Sequence, residues 1–176
     1  MVTGEGVAAR LLYPDGSQLL LGENSELQIQ LPEAGAPMAE LQKGSVTAKV
    51  TKAATPGAPY KLFIKTNAAV MGVRGTEFVD DHDPAAGKTE LHTLEGRVEV
   101  GSSREEVGAG KGRGVEADQT LHADRAGVSR VEKFDRVAFI KHRQERHPHA
   151  HRLDRRVVRS FDELCKRRSE RIELRT

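Results

Sequence analysis

The sequence has no Trp, and aromatic residues make up only 4% of it. A stacking platform for sugars or unpaired bases is therefore missing, and a core must be assembled mainly from Val, Leu, Ile and Ala. A carbohydrate-binding or cell-wall module would fit an all-β chain but ranks last for that reason, with Tyr13 and Tyr60 the only tyrosines. Cys165 is the single cysteine. It excludes an intrachain disulfide and leaves the redox compartment unread. No run approaches the ~20 apolar residues of a membrane span. The opening Met1-Val2-Thr3-Gly4-Glu5-Gly6 has neither the basic start nor the apolar run of a signal peptide.

Catalytic patterns are missing too. There is no Gly-x-Ser-x-Gly elbow, no His-Glu-x-x-His, and no base placed to activate the cysteine. Gly108-Ala109-Gly110-Lys111-Gly112-Arg113-Gly114 is glycine-rich and basic but lacks Walker spacing. It reads as a turn between strands rather than a phosphate cradle. The expectation is a non-enzymatic chain that needs no cofactor.

What the chain does have is period two. Leu27, Ile29 and Leu31 alternate with Glu26, Gln28 and Gln30; Val46, Ala48 and Val50 alternate with polar neighbours; Leu62 and Ile64, then Val98 and Val100, repeat the pattern. Turn residues separate these runs. Pro14-Asp15-Gly16-Ser17 predicts a hairpin joining Ala9–Tyr13 to Gln18–Leu21, and Gly22-Glu23-Asn24-Ser25 predicts the next reversal. Pro32–Pro37 and Ala53–Pro59 read as longer loops, and Asp80–Lys88 as an acidic loop. Spacing of about ten residues per strand points to an all-β roll, short solenoid or sandwich of about ten short strands. Leu41-Gln42-Lys43-Gly44-Ser45-Val46 and Leu94-Glu95-Gly96-Arg97-Val98 share a Leu, a Gly and a valine strand, a faint echo that favours the roll or solenoid.

Beyond about residue 125 the period becomes helical. Ser129-Arg130-Val131-Glu132 fits a capping box, followed by Val131, Phe134, Val137 and Ala138 at helical spacing. Pro148 interrupts, and a second helix is expected to carry Leu153, Val157, Phe161, Leu164 and Cys165 on one side, restarting at Ser160-Phe161-Asp162-Glu163. The domains are thus expected at 1–120 (β) and 121–176 (linker and basic helical tail). Residues 1–140 hold 16 Lys and Arg against 20 Asp and Glu, a net of −4; residues 141–176 hold 12 against 6, a net of +6. The two parts face different partners.

The most distinctive stretch is Lys65-Thr66-Asn67-Ala68-Ala69-Val70-Met71-Gly72-Val73-Arg74-Gly75-Thr76-Glu77-Phe78. Its Thr-x-x-Ala segment leading into Val-Arg-Gly-Thr-Glu-Phe resembles the signature of FecR-type domains. Thr3-Gly4, Asp15-Gly16-Ser17, Gly22-Glu23-Asn24-Ser25, Gly44-Ser45-Val46, Leu94-Glu95-Gly96-Arg97-Val98-Glu99-Val100 and Val107-Gly108-Ala109-Gly110 stand around it in matching order. The resemblance covers roughly residues 3–116. It implies an all-β periplasmic or envelope module that relays a signal through protein contacts, with Thr66, Gly72, Val73, Arg74, Gly75, Thr76, Glu77, Phe78, Glu95 and Gly96 as its binding or structural signature. Family members open with further strands and a signal peptide, so the resemblance implies a start further upstream. The chain departs from the family in lacking a cytoplasmic regulator segment and in its helical ending.

Two readings compete at each notable cluster. Arg74 offers a planar donor fork suited to carboxylates or phosphates, but the favoured reading is a buried strand tie paired with Glu77 or Glu95. His147, His149 and His151, with His142 nearby, are the one metal-like group; their basic flanks oppose a cation, and a polar helix break is favoured over a metal site. Asp81-His82-Asp83 reads as a solvated turn. The basic tail supplies the alternative function, binding of nucleic acid or an anionic surface. Its interleaved acids and scarce aromatics favour a solvated helix docked on the β-domain or on a second copy. A protein partner is expected; the oligomeric state stays open.

Overall fold

A computed structural model describes residues 1–30, 32, 35–52, 57, 59–146 and 158–160 of the chain. In chain order the elements are β1 (Ala9–Leu12), β2 (Gln18–Leu21), β3 (Glu26–Gln30), β4 (Met38–Lys49), β5 (Leu62–Lys65), β6 (Val70–Val73), β7 (Glu77–Asp83), β8 (Lys88–Glu95), β9 (Arg97–Gly101), α1 (Arg104–Gly108), β10 (Arg113–Glu116), β11 (Gln119–Asp124), β12 (Gly127–Val128), β13 (Glu132–Lys133), α2 (Arg136–Arg146) and β14 (Val158–Ser160). The fold is mostly β, one sheet curled into a half-barrel.

Strand β4 is the spine. Its first half pairs with β3 and β5, its second half with β2 and β7. One arm then runs β5-β6-β9-β10 and the other β7-β8-β11-β12, with β2 and β1 branching from β4. The bend between the halves falls at Gly44, whose φ is +86°; a Cβ there would lie 2.1 Å from Ser25 Oγ. Only glycine accepts both that backbone and that contact. Period-two alternation then sends one side chain set inward: Leu11, Leu19, Leu21, Leu41, Val46, Ala48, Ile64, Met71, Val73, Phe78, Leu91, Val98 and Leu121 are essentially sealed from water in one core.

The Pro14–Ser17 hairpin forms as the turn chemistry predicts. Asp15 accepts from the Ser17 N–H at 2.9 Å, from Thr51 Oγ1 at 2.9 Å and from Lys61 Nζ at 2.9 Å. Burial pushes the Asp15 carboxyl upward, but the bonds from Lys61, Ser17 and Thr51 win and hold it below the usual carboxylate range. Three separated motifs meet in one corner. The Thr3 N–H donates to the Ser25 carbonyl at 2.9 Å, the Ser25 N–H donates to Thr3 Oγ1 at 3.0 Å, and Ser25 Oγ accepts from the Ser45 N–H at 2.9 Å.

Four expectations are corrected. The acidic stretch Asp80–Lys88 is mostly not loop: β7 and β8 form a hairpin closed by residues 84–87, which buries Asp80 and His82. Asp81-His82-Asp83 is accordingly strand, not a solvated turn. Ser129 does not open a helix, because its Oγ accepts from the His122 N–H within the β11–β12 pairing, and Glu132 lies in β13 against β11. The cap of α2 is Asp135, whose Oδ1 accepts from the Val137 and Ala138 N–H groups at 2.9 and 3.0 Å. Val137, expected on the apolar face, is 78% exposed. Phe139 is the residue that meets the sheet, its ring 4.1 Å from that of His92, and with Ile140 and Arg143 it lines a cleft beside Leu20, Thr47, Val79 and Leu94.

The turn expected at Gly108–Gly114 follows a short helix, α1, whose cap Ser103 accepts from the Glu106 N–H. In the tail, Val158–Ser160 forms strand β14 along β1 where a helix had been expected. Leu31, the His147–His151 cluster, and Leu153, Val157, Phe161, Leu164 and Cys165 lie outside the described residues. None of the described helices is long and apolar enough to cross a membrane.

Candidate functional site

The signature segment begins at Thr66, the hinge of the β5–β6 turn. Its Oγ1 accepts from the Ala68 and Ala69 N–H groups at 3.2 and 3.1 Å, and its own N–H donates to the Ala69 carbonyl at 2.9 Å. These bonds give the Thr-x-x-Ala spacing its reason: a short polar side chain closes the turn on itself. Thr89 Oγ1 donates to Thr66 Oγ1 at 2.8 Å, and His82 Nδ1 lies 3.0 Å from Thr89 Oγ1 and 2.9 Å from the Lys88 carbonyl. Burial lowers the His82 pKa against the raising effect of the Lys88 carbonyl. A buried polar thread thus ties the turn to the β7–β8 hairpin.

Strand β6 places Met71 and Val73 inward and Gly72 outward. The Tyr60 ring and Val107 lie so close over Gly72 that a Cβ would come within 2.7 Å of the ring and 2.6 Å of Val107. Tyr60 Oη donates to Glu99 Oε2 at 2.5 Å, and Glu99 sits directly across from Gly72 on β9. Burial, then the Glu99 carboxylate, pushes the Tyr60 hydroxyl up to about 12. It stays protonated as a donor, not a nucleophile.

Arg74 leaves the end of β6 on this outer side. Its guanidinium stacks 4.0 Å from the Tyr60 ring centroid and lies 3.7 Å from Glu99 Oε1. The side chain is 41% exposed, yet its Nε is buried and finds no acceptor among the described residues. The expected tie to Glu77 or Glu95 is therefore corrected. Those carboxylates lie beyond the crossover, where Glu77 meets Lys49 at 3.2 Å and Glu95 meets Lys52 at 3.1 Å. Strand alternation after the inward Val73 turns Arg74 away from both.

The crossover from β6 to β7 is a backbone crossing. A Cβ on Gly75 would lie 2.5 Å from the Lys52 Cα, and one on Gly96 would lie 2.7 Å from the Gly75 carbonyl oxygen. Thr76 exchanges N–H···O bonds with Val50 at 3.1 and 2.9 Å, and its Oγ1 donates to the Arg97 carbonyl at 2.9 Å. Phe78 then enters the core fully buried. The structure thus brings Gly75, Thr76 and Gly96 into one joint, sets Gly72 and Arg74 on a ledge with Tyr60 and Glu99, and sends Val73 and Phe78 inward.

Sequence reading missed Tyr60, Glu99 and Asp80. Asp80 is fully buried on β7, opposite Val46 and Leu91, and neither carboxylate oxygen meets a donor among the described residues. Burial, with Asp81 adjacent, pushes its pKa well above the usual carboxylate range. The available signal was its parity with Phe78 on an inward-facing strand. Among the described residues no group of His, Cys, Asp or Glu is arranged to hold a metal.

Comparison with solved structures finds two crystal structures, at 1.65 and 2.50 Å, of a candidate anti-sigma factor from Parabacteroides distasonis. Each aligns with a TM-score of 0.63 at 15% identity, covering 82% of this chain and 64% or 63% of theirs. At that identity the likeness is one of fold, and the chain spans less than two thirds of their length. No curated protein matches. The model of the FecR protein family matches residues 1–99, more than half of the chain. On that match, with its Val-Arg-Gly-Thr-Glu-Phe joint in place, the chain belongs to the FecR protein family.

Proposed function

We propose that the chain is a non-enzymatic envelope module that relays a signal by binding another protein, its half-barrel serving as the FecR-type roll. One observation carries the reading. The family's signature residues are spent on a backbone joint and a core anchor, while Arg74 remains partly exposed on the Tyr60–Glu99 ledge with one donor unmet among the described residues. A rigid scaffold presenting a few exposed groups and strand edges is suited to protein recognition. The fold likeness to a candidate anti-sigma factor and the family membership both lean towards regulation rather than catalysis. The periplasm is the compartment this reading requires.

The test is site-specific photocrosslinking in living cells at Tyr60 and Arg74, combined with fractionation. A discrete crosslinked protein in the envelope fraction is expected. A chain found only in the cytoplasmic fraction, or crosslinks without a discrete partner, would overturn the reading. The +6 tail favours one alternative, binding to nucleic acid or an anionic surface. A salt titration separates the two, since phosphate contacts weaken steeply with added salt.

A further inference from the structure

Strand β1 closes the arm that branches from β4. It pairs antiparallel with β2 on one side, and on the other it is met by the three residues of β14, running parallel, with Arg10 opposite Val158, Leu11 opposite Arg159 and Leu12 opposite Ser160. Ala9 and Leu11 are anchored in the core at 3% and 0% exposure, so the backbone of β1 is fixed while its outer N–H and C=O groups face whatever lies alongside. Three residues of parallel ladder make a short seat, and parallel pairing is the weaker kind per residue.

One donor of Arg10 is also unmet. Arg10 Nε is buried without an acceptor among the described residues, and the segment alongside, Val158-Arg159-Ser160, has no carboxylate and adds a further positive charge. An N–H withdrawn from water without an acceptor is costly, so a carboxylate placed there would be favoured. We propose that β1 is a strand-docking edge on which β14 is a displaceable cis occupant. The partner is an extended acidic segment of another protein that adds to β1 and places a carboxylate against Arg10. This deepens the protein-relay reading and rests on it: main-chain bonds would supply the affinity, and the alternating side chains the choice of partner.

The test uses the full chain and two labelled octapeptides, one alternating Glu and Val and the other alternating Lys and Val, followed by fluorescence anisotropy. Successive strand residues point their N–H groups to opposite sides, so in Val158→Pro with Arg159→Pro one lost donor must face β1 whichever way β14 is turned. Hydrogen exchange at the β1 amides reports whether the seat has opened. The Glu peptide should bind this double variant about tenfold more tightly than wild type, a factor worth ~1.4 kcal/mol. Adding Arg10→Gln should reduce it to the level of the Lys peptide. Unchanged exchange at β1, equal affinity for wild type and double variant, equal binding of both peptides, or no binding of either would each overturn the proposal. If the envelope crosslinks at Tyr60 and Arg74 persist while this test fails, the relay reading stands and the β1 edge does not.

Discussion

Replacing Asp80 with Val should make the protein more stable, and by an amount that grows with pH. Asp80 stands on β7 between the inward-facing Phe78 and His82, opposite Val46 on β4 and Leu91 on β8, with no exposure and no donor to either oxygen among the described residues. Two costs follow. A buried carboxyl without hydrogen bonds costs about 1–3 kcal/mol even when neutral. The second is linkage. Desolvation, followed by the adjacent Asp81 charge, raises the folded-state pKa, so the native state keeps a proton that the unfolded chain releases above about pH 4. The native state then binds more protons than the unfolded one, and stability falls by about 1.4 kcal/mol per pH unit until the folded pKa is reached. Below the free-chain value this second cost vanishes.

Val is apolar and β-branched, as a strand favours, so Asp80→Val removes both costs; Asp80→Asn removes only the linkage. Urea unfolding from pH 4 to pH 8 separates them. The gain for Asp80→Val should be about 1–3 kcal/mol near pH 4 and larger at pH 6. At 2–4 °C per kcal/mol for a chain of this size, that is a melting shift of several degrees. The readout is the difference from wild type, because His82, with its pKa lowered by burial, adds an opposite slope as it does in both proteins. A difference curve flat across that range, or a less stable Asp80→Val, would refute the reasoning.

Phe78→Ala should cost about 3–5 kcal/mol in urea unfolding, since Phe78 is among the largest fully buried side chains and the rigid sheet cannot collapse onto the void. Gly72→Val should unfold the protein at lower temperature by displacing the Tyr60 ring, and near-ultraviolet circular dichroism should report the lost tyrosine environment. Arg74→Ala should cost only about 1 kcal/mol of stability, because its ring and carboxylate contacts are half exposed; a loss several times larger would show it to be a core tie. Asp15→Asn should weaken the protein at neutral pH. The carboxyl's folded pKa is depressed, so its contribution is present above the free-chain value and lost as pH falls through the folded one; the variant and wild type should converge in strong acid.

Much of the β-half is legible from period and turn chemistry alone. The Pro14–Ser17 hairpin and the inward sets Val46, Ala48, Val50 and Val98, Val100 stand where alternation puts them. Alternation fails where polarity misleads. Asp80 and His82 share parity with Phe78, but a run of acids reads as solvated, and nothing local announces that β4 and β8 will close over it. The capping box at Ser129 fails for a related reason: Ser and Glu at that spacing serve a helix only if no strand claims them first, and β11 does. The same pattern at Ser103 and Glu106 does open a helix, so the motif identifies a capacity and tertiary pairing decides its use. The ledge was half visible. Gly72 and Arg74 lie in the signature, whereas Tyr60 and Glu99 reach it only through the β5–β6–β9 register.

The charge asymmetry between the two parts of the chain takes physical form at Arg143. Its guanidinium meets Asp81 at 2.9 Å and also contacts Ser45, so the first turns of the basic region are held by the acidic β-domain rather than by a separate partner. Asp81 points outward because Asp80 points inward; the two adjacent carboxylates divide between α2 and the core. That division makes the helix and the buried acid sensitive to each other, since the Asp81 charge contributes to raising the Asp80 pKa. Arg143→Ala leaves the Asp81 charge without its close counterion, which should raise the Asp80 pKa further and widen the pH window over which the protein loses stability. Urea unfolding of Arg143→Ala with and without Asp80→Val measures the coupling. If the helix and the buried acid are linked through Asp81, the cost of losing Arg143 shrinks once Asp80 is Val. An equal cost in both backgrounds at every pH from 4 to 8 would show that the two carboxylates act independently.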